Sequence, residues 1–471
     1  MARPLALGSL VALACLPWVA CFDYQVDPDG FCQGRPDDPS CPGVGGAAGA
    51  SGMGGVGGVG GSGGSAMGSS GLGGGGTGGG SPCVSDAACA AEQGAGSLCV
   101  AEACTAPSTS CTKATLVVVP DAAFAGELAV NVEGACFYRA LGPALAAATA
   151  NGSATTTRVA VYAAAVEGPA AVPAGVRLEG RATPPATLVA LTMGASGGAG
   201  GAGGGAGASG AGASGAGGAG ATPVLVTLSA GAALVGFALD GKGTAAGVKA
   251  EAGAVRLEGP LTIANATRAV DLGGAVDATI TGTQAASVLV KGNQLGIVVG
   301  ATAKLTLTGD GEKGGVTVEG TAAGAGVLVQ AGDLTSSVRF EGLLAKDNKI
   351  STVNDGTGAI EVRQGRDVTI KNSVFNGNNV GLTLNGQNTS LSTAFANVKL
   401  EGNRFTLATP GQGSTICGSK LNSQTELNLG PGNVFPLAMT TCPPTQASNC
   451  NGGADVGRDT LNAFVIQCTG G

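Results

Sequence analysis

The densest run of ionisable side chains lies between Glu341 and Lys371. Glu341, Lys346, Asp347, Lys349, Asp355, Glu361, Arg363, Arg366, Asp367 and Lys371 place ten charges in thirty-one residues, well above the chain average of 12%. Asp347, Asp355 and Asp367 carry the oxygen ligands that calcium prefers. With the basic groups among them, they would suit an anionic or calcium-bridged glycan. Such chemistry requires convergence, because carboxylates more than ~10 Å apart cannot share one calcium ion. The bland alternative is a solvated face on which opposite charges neutralise each other. Histidine is absent from the sequence, and no C-x-x-C pair occurs among the clustered cysteines, so a zinc site is not expected.

The elements that would position those charges are announced by a recurring pentapeptide. Val176-Arg177-Leu178-Glu179-Gly180, Val255-Arg256-Leu257-Glu258-Gly259, Val338-Arg339-Phe340-Glu341-Gly342 and Val398-Lys399-Leu400-Glu401-Gly402 are four copies, with Val316-Thr317-Val318-Glu319-Gly320 a looser fifth. Apolar residues at i and i+2 with charged residues between them describe a strand with one dry and one wet face, closed by a glycine turn. Degenerate relatives such as Ala278-Thr279-Ile280-Thr281-Gly282 and Leu305-Thr306-Leu307-Thr308-Gly309 fill the intervals, so that starts are often 20 to 30 residues apart. That spacing suits one turn of a triangular coil of short strands. Val368-Thr369-Ile370 aligns with Val398-Lys399-Leu400 at a shift of 30 residues, which predicts Phe375 stacked over Phe405.

The amino end is a targeting segment. Arg3 supplies a positive start, and Leu5 to Ala20 is a sixteen-residue apolar run broken by Gly8 and Pro17, suited to a signal peptide over 1–20 and short for a membrane span. Val19-Ala20-Cys21 resembles the lipobox of bacterial lipoproteins, which implies cleavage before Cys21, acylation of its thiol and attachment to a membrane. Cys15 is the alternative. Cleavage at Cys21 leaves twelve cysteines, at Cys32, Cys41, Cys83, Cys89, Cys99, Cys104, Cys111, Cys136, Cys417, Cys442, Cys450 and Cys468. Twelve can all pair in an oxidising compartment, whereas cleavage at Cys15 leaves an odd thiol. A secreted protein with Cys21 in a disulfide is a third reading.

A cysteine-containing anchor segment over 21–42 leads into a Gly-rich stretch over 43–81 that is too poor in large apolar side chains to offset its ordering entropy. It reads as a disordered tether of ~35 Å r.m.s. reach. A small cysteine-rich module follows over 82–112, with the pattern Cys83-x5-Cys89-x9-Cys99-x4-Cys104, similar to short disulfide modules of bacterial surface proteins. Two bridges within it and one from Cys111 to Cys136 are expected. The main domain then runs over 113–471, and twenty-eight consecutive Gly, Ala or Ser residues over 194–221 read as a disordered insertion.

Leu116-Val117-Val118-Val119 predicts a first strand, and Leu141 to Ala150 a helix that covers the open end of the coil. Helix, then Arg158-Val159-Ala160-Val161-Tyr162, then Val172-Pro173-Ala174-Gly175-Val176-Arg177-Leu178-Glu179-Gly180 resembles the start of right-handed parallel β-helices of the pectate-lyase-like superfamily. The resemblance implies an all-β solenoid with an N-terminal helical cap. It also implies that, were the chain a polysaccharide lyase, Arg363 or Arg366 would abstract the proton while Asp347, Asp355 and Asp367 held calcium. The histidine-dependent hydrolases of that superfamily are excluded by composition. Cys417, Cys442, Cys450 and Cys468 cluster with prolines near the other end, which reads as a disulfide-stapled terminus.

A net charge of −7 offers no basic footprint for nucleic acid. Tyr138 and Tyr162 are the only tyrosines after the tether, which argues against an aromatic sugar platform. The expected protein is a monomeric, non-catalytic cell-envelope lipoprotein without a cofactor, displaying its β-helix for structural or adhesive contact with an envelope glycan or surface protein. Carbohydrate-active enzyme and glycan-binding module are the alternatives.

Overall fold

The computed structural model describes residues 83–100, 102–105, 111–119, 134–182, 185–189, 222–332, 335–348, 358–363, 366–386, 397–407, 414–419, 426–437, 444–447, 450, 454–458 and 465–468. The signal, anchor and tether calls over 1–81 and the insertion over 194–221 lie outside them. The chain divides into units Met1–Gly76 and Thr77–Gly471, and all described residues belong to the second.

Alternating side chains become alternating burial. Lys304–Thr308 and Ser337–Glu341 both read exposed, buried, exposed, buried, exposed, as one-sided strands must. Such strands assemble into a 29-stranded sheet, and its pairings are parallel from Thr115–Val118 with Arg158–Val161 to Glu426–Leu429 with Val465–Cys468. From Arg268–Thr281 to Asn397–Glu401, each strand pairs with the one three further along the chain. Three ladders result, visited in fixed order. The first runs through Lys304–Thr308, Ser337–Glu341, Asp367–Lys371 and Asn397–Glu401. The second runs through Val316–Glu319, Leu343–Lys346, Val374–Asn378 and Arg404–Leu407, and the third through Val327–Val329, Ile360–Arg363, Leu382–Asn385 and Ile416–Ser419.

The four full pentapeptides share the first ladder, where Leu178, Leu234, Leu257, Ile280, Leu307, Phe340, Ile370 and Leu400 face one another in register. All are at most 1% exposed, and burying each such side chain is worth ~1.5–3 kcal/mol. Val316-Thr317-Val318-Glu319-Gly320 instead occupies the second ladder; the same pattern serves any one-sided strand, whichever ladder it joins. Leu178 and Leu234 are direct partners, so the Gly/Ala/Ser segment is passed without losing a rung. One continuous cluster of buried side chains extends from Cys111 to Val456.

The turns have two kinds of glycine. Gly342 and Gly402, with φ of 65° and 66°, occupy the same turn position as Asn372, with φ of 49°, the left-handed conformation that Gly and Asn tolerate. At Gly180 and Gly259 the reason is space, because a Cβ would lie 1.9 Å from the Gly236 carbonyl oxygen and 1.8 Å from that of Ala286. Asn376-Gly377 reads as a turn pair but is a bulge inside the strand Val374–Asn378, with Gly377 at φ 64°. Asn385-Gly386 is not a turn either. Asn385 ends a strand, and the Gly386 amide continues the ladder by donating to the Ser419 carbonyl at 2.9 Å.

Polar groups inside are satisfied along the stack. The Asn403 amide donates to Asn433 Oδ1 at 3.0 Å, Asn403 Nδ2 donates to the Ile370 carbonyl at 2.8 Å, and the Ser373 amide donates to Asn403 Oδ1 at 3.0 Å. Asn348 and Asn378 repeat the arrangement one ladder corner away. Phe375 stacks on Phe405 with ring centroids 4.6 Å apart, and Phe405 on Phe435 at 5.3 Å.

The helix Leu141–Asn151 holds Pro143 in its first turn, where no intrahelical donor is lost. Its buried face, Leu141, Ala144, Leu145 and Ala148, closes the first end of the core against Thr115–Val118, Ala135–Tyr138, Arg158–Val161 and Ala170–Val172. The cysteine module, with bonds Cys83–Cys99 and Cys89–Cys104, packs Val100 on Val117, Val119 and Phe137. Arg139 ties the two parts together: Nε donates to Asp86 Oδ2 at 2.9 Å, Nη1 to the Val119 carbonyl at 2.7 Å and Nη2 to that of Cys99 at 2.7 Å. The hydrogen bonds from Arg139 hold the Asp86 carboxyl below its ordinary pKa, against the opposing effect of burial.

Phe405→Ala removes the middle ring of the stack. A loss of ~3–5 kcal/mol is expected from transfer and cavity terms, measured as a shift in the urea unfolding midpoint.

Candidate functional site

The structure disperses the sequence candidates. Asp347 is exposed on the turn after the second-ladder strand Leu343–Lys346, with φ of 53°. Asp367 opens a first-ladder strand opposite Ser337, and Asp355 lies outside the described residues. Arg363 belongs to the third ladder, where its Nε donates to Glu361 Oε1 at 2.9 Å. Asp347, Asp367 and Arg363 thus sit on three different ladders.

Arg366 is removed from consideration as a proton-abstracting base. Its side chain is 0% exposed and reaches back to the preceding turns, donating to the carbonyls of Gly300 at 3.2 Å, Ala303 at 2.6 Å and Ala301. A guanidinium committed to main-chain carbonyls braces the corner and meets no substrate.

Ion pairs account for much of the remaining charge. Lys346 bridges to Glu319 at 2.9 Å and Lys371 to Glu401 at 2.7 Å, each pair crossing between neighbouring strands of one ladder. The largest network surrounds Glu179, 6% exposed, which accepts from Arg158 Nε at 2.8 Å, Arg177 Nε at 2.6 Å and Arg181 Nε at 2.9 Å. Arg177 Nη1 continues to Glu258 Oε2 at 2.6 Å. Burial raises the Glu179 pKa; hydrogen bonds from Arg181 and Arg177, with the charges of Arg158 and Arg181, outweigh it and hold the carboxyl below its ordinary range.

Beside this network a groove of ≈ 430 Å³ is lined by Arg256, Glu258, Gly259, Thr279, Thr281, Gly282, Thr283 and Ala286. Arg256 faces Thr279 and Glu258 faces Thr281 across adjacent strands of the first ladder. Nothing in the pentapeptide marks Arg256 as different from Arg177. The distinction comes from the neighbours that the fold supplies.

Among the described residues, the one grouping of three metal-ligating side chains is Cys83, Cys89 and Cys104, and all three are in disulfides. Cys111–Cys136 and Cys417–Cys450 are also bonded, and Cys468 is in a disulfide. Cys21, Cys32, Cys41 and Cys442 lie outside the described residues. No described helix is long and apolar enough to cross a membrane.

The fold and its disulfides define an all-β protein built on an extended parallel sheet. Comparison with family models, curated proteins and solved structures finds no match.

Two outcomes test these assignments. Arg366→Ala deprives the Ala301 and Ala303 carbonyls of this donor, while that of Gly300 keeps the Ala303 amide; a loss of ~1–3 kcal/mol is expected, and Arg366→Lys, lacking the planar fork, is expected to recover less than half of it in urea unfolding. Because the folded pKa of Glu179 is lowered, its stabilisation is complete above the unfolded carboxylate value of ~4.3 and disappears as pH falls through the folded value. Glu179→Gln should therefore cost ~1–3 kcal/mol at neutral pH and flatten that acid limb of the stability curve.

Proposed function

We propose that this chain is a non-catalytic cell-envelope lipoprotein whose parallel sheet winds as a right-handed β-helix and presents its outer faces for structural or adhesive contact. Cys21 is the lipid attachment point and the Gly-rich stretch over 43–81 the spacer. The observation that carries the reading is the use made of charge: Arg366 braces a turn, Arg363 is held by Glu361, and Asp347 and Asp367 belong to different ladders. A long, nearly all-polar first-ladder face is left, on which Thr279, Thr306, Arg339, Thr369 and Lys399 follow one another in register.

The three-ladder order and the Phe and Asn stacks favour the β-helix reading over a flat sheet, whose strands do not return to the same ladder every third element. The disulfides suit an oxidising compartment. The wording "pectate-lyase-like" then describes a shared way of winding, and activity does not follow from it.

In the native host, palmitate is expected to label the protein and to be lost in Cys21→Ala, with the variant shed into the medium. Purified protein incubated with polygalacturonate and calcium should release no unsaturated uronides; their appearance would establish the lyase reading in its place.

A further inference from the structure

The groove beside Glu258 has features that the rest of the first-ladder face lacks. Its wall is the turn Thr283–Ala286, closed by hydrogen bonds between the Thr283 and Ala286 main chains at 3.0 and 3.1 Å. Asp310, one rung on, fixes that turn by accepting from the Gln284 amide at 2.7 Å. Gly259 lets the turn approach, since any side chain there would strike the Ala286 carbonyl. The wall is therefore held in place before any ligand arrives, which lowers the entropic cost of binding.

The charged side chains that line the groove are Arg256 and Glu258, and the arginine network around Glu179 lies beside it. Four guanidinium groups, on Arg158, Arg177, Arg181 and Arg256, stand with two carboxylates, Glu179 and Glu258. Three of the four arginines are engaged by those carboxylates. Arg256 is exposed and makes no ion pair among the described residues. The next carboxylate on this face, Asp277, faces Ala254 in register rather than Arg256. Glu258 itself is neutralised by Arg177 at 2.6 Å, so it does not repel an anion placed against Arg256.

Hydroxyl donors surround this cation. Thr279 is one strand away in register with Arg256, at the ~4.8 Å ladder spacing. Thr281 is two residues further along the same strand, and Thr283 stands on the wall. The Thr283 hydroxyl oxygen already accepts from the Ala286 amide at 3.2 Å, which leaves its proton to donate. A planar carboxylate has two oxygens, and one bidentate guanidinium satisfies both. The remaining lone pairs of a carboxylate lie in that same plane, whereas a tetrahedral oxyanion also presents oxygens out of it, toward the hydroxyls on the second strand and on the wall.

We propose that this groove is a binding site for one tetrahedral oxyanion, a phosphate or sulfate ester group, gripped by Arg256 and by the hydroxyls of Thr279, Thr281 and Thr283. The proposal names a ligand for the surface-contact reading and rests on that reading for its setting. It concerns a single group, because beyond the groove the first-ladder face mixes Lys304, Arg339 and Lys399 with Asp277, Glu341 and Glu401 and has no surplus for a polyanion.

The test is calorimetric titration of the full chain with inorganic phosphate, inorganic sulfate, glucose 6-phosphate, glucose and glucuronate. Saturable binding of the phosphate or sulfate probes is expected, with glucose silent and glucuronate at least tenfold weaker. Arg256→Ala, at an exposed position, should keep the parent's unfolding midpoint and weaken binding at least tenfold. Thr281→Val should weaken it several-fold, while Arg339→Ala, in the same outward column outside the groove, should leave it unchanged. Inorganic ions binding as well as the sugar phosphate would assign the site to free ions; the sugar phosphate binding more tightly would assign it to an ester. Absence of saturable binding, equal affinity for glucuronate, or an Arg256→Ala protein that binds like the parent would each overturn the proposal. A parent protein that takes up no palmitate overturns only the envelope reading, so the two failures are distinguishable.

Discussion

A parallel strand directs its amides and carbonyls sideways, toward the strands on either side, and none of them can be satisfied within the strand itself. Every other feature of this protein depends on that constraint. Each rung needs a rung before and after it in register, so a side chain at one position is obliged to sit on its counterpart one turn away. Leu on Leu, Ile on Leu and Phe on Phe fill the inside. The same rule applied to Asn403 and Asn433 forms a ladder of side-chain amides, in which each buried polar group finds its partner along the stack direction. Such an arrangement is stabilising only while it is complete, because a single unpaired amide in this environment costs ~1–3 kcal/mol.

The ends and corners follow from the same requirement. A terminal rung has an unpaired edge and an open core, and the helix Leu141–Asn151 supplies apolar side chains where the next rung would have been. At the corner occupied by Arg366, carbonyls of an earlier turn point inward without a strand to receive them, and a buried guanidinium takes that part. The disulfide module is fastened to the first rung through Arg139, which donates both to a carboxylate of the module and to main-chain carbonyls on each side of the junction. Arg363 and Arg366, which a linear reading would nominate for chemistry, are here engaged by a neighbouring carboxylate and by main-chain carbonyls.

The outer surface is where sequence variation is tolerated, since an outward residue does not have to match its neighbours to keep the stack intact. Charge, hydroxyl and turn length vary there from rung to rung. The groove at Arg256 arises from such variation: a threonine pair follows an Arg-Glu pair, and the turn after it rises into a wall pinned by Asp310. Function on a scaffold of this kind is carried by differences between rungs, and the repeated part carries the fold.

Periodicity was legible without coordinates because inside and outside alternate with a period of two, and the pentapeptides therefore declare strands, their buried face and their stacking shift. The alignment of Phe375 with Phe405, the helix after Leu141 and the one-sided strands all follow from local pattern and from the rule that like positions stack. Ladder membership was not legible, and Val316-Thr317-Val318-Glu319-Gly320 shows why: a strand pattern says which face is dry, and says nothing about which of three ladders the strand joins. The same limit separated Arg366 from Arg363, and Arg256 from Arg177. Adjacent or identical in sequence context, they differ in what the fold brings beside them, and the contacts that set Arg366 and Arg177 apart come from residues 60 or more positions distant. Only the tertiary register decides whether a guanidinium meets a carboxylate, a row of carbonyls or open water.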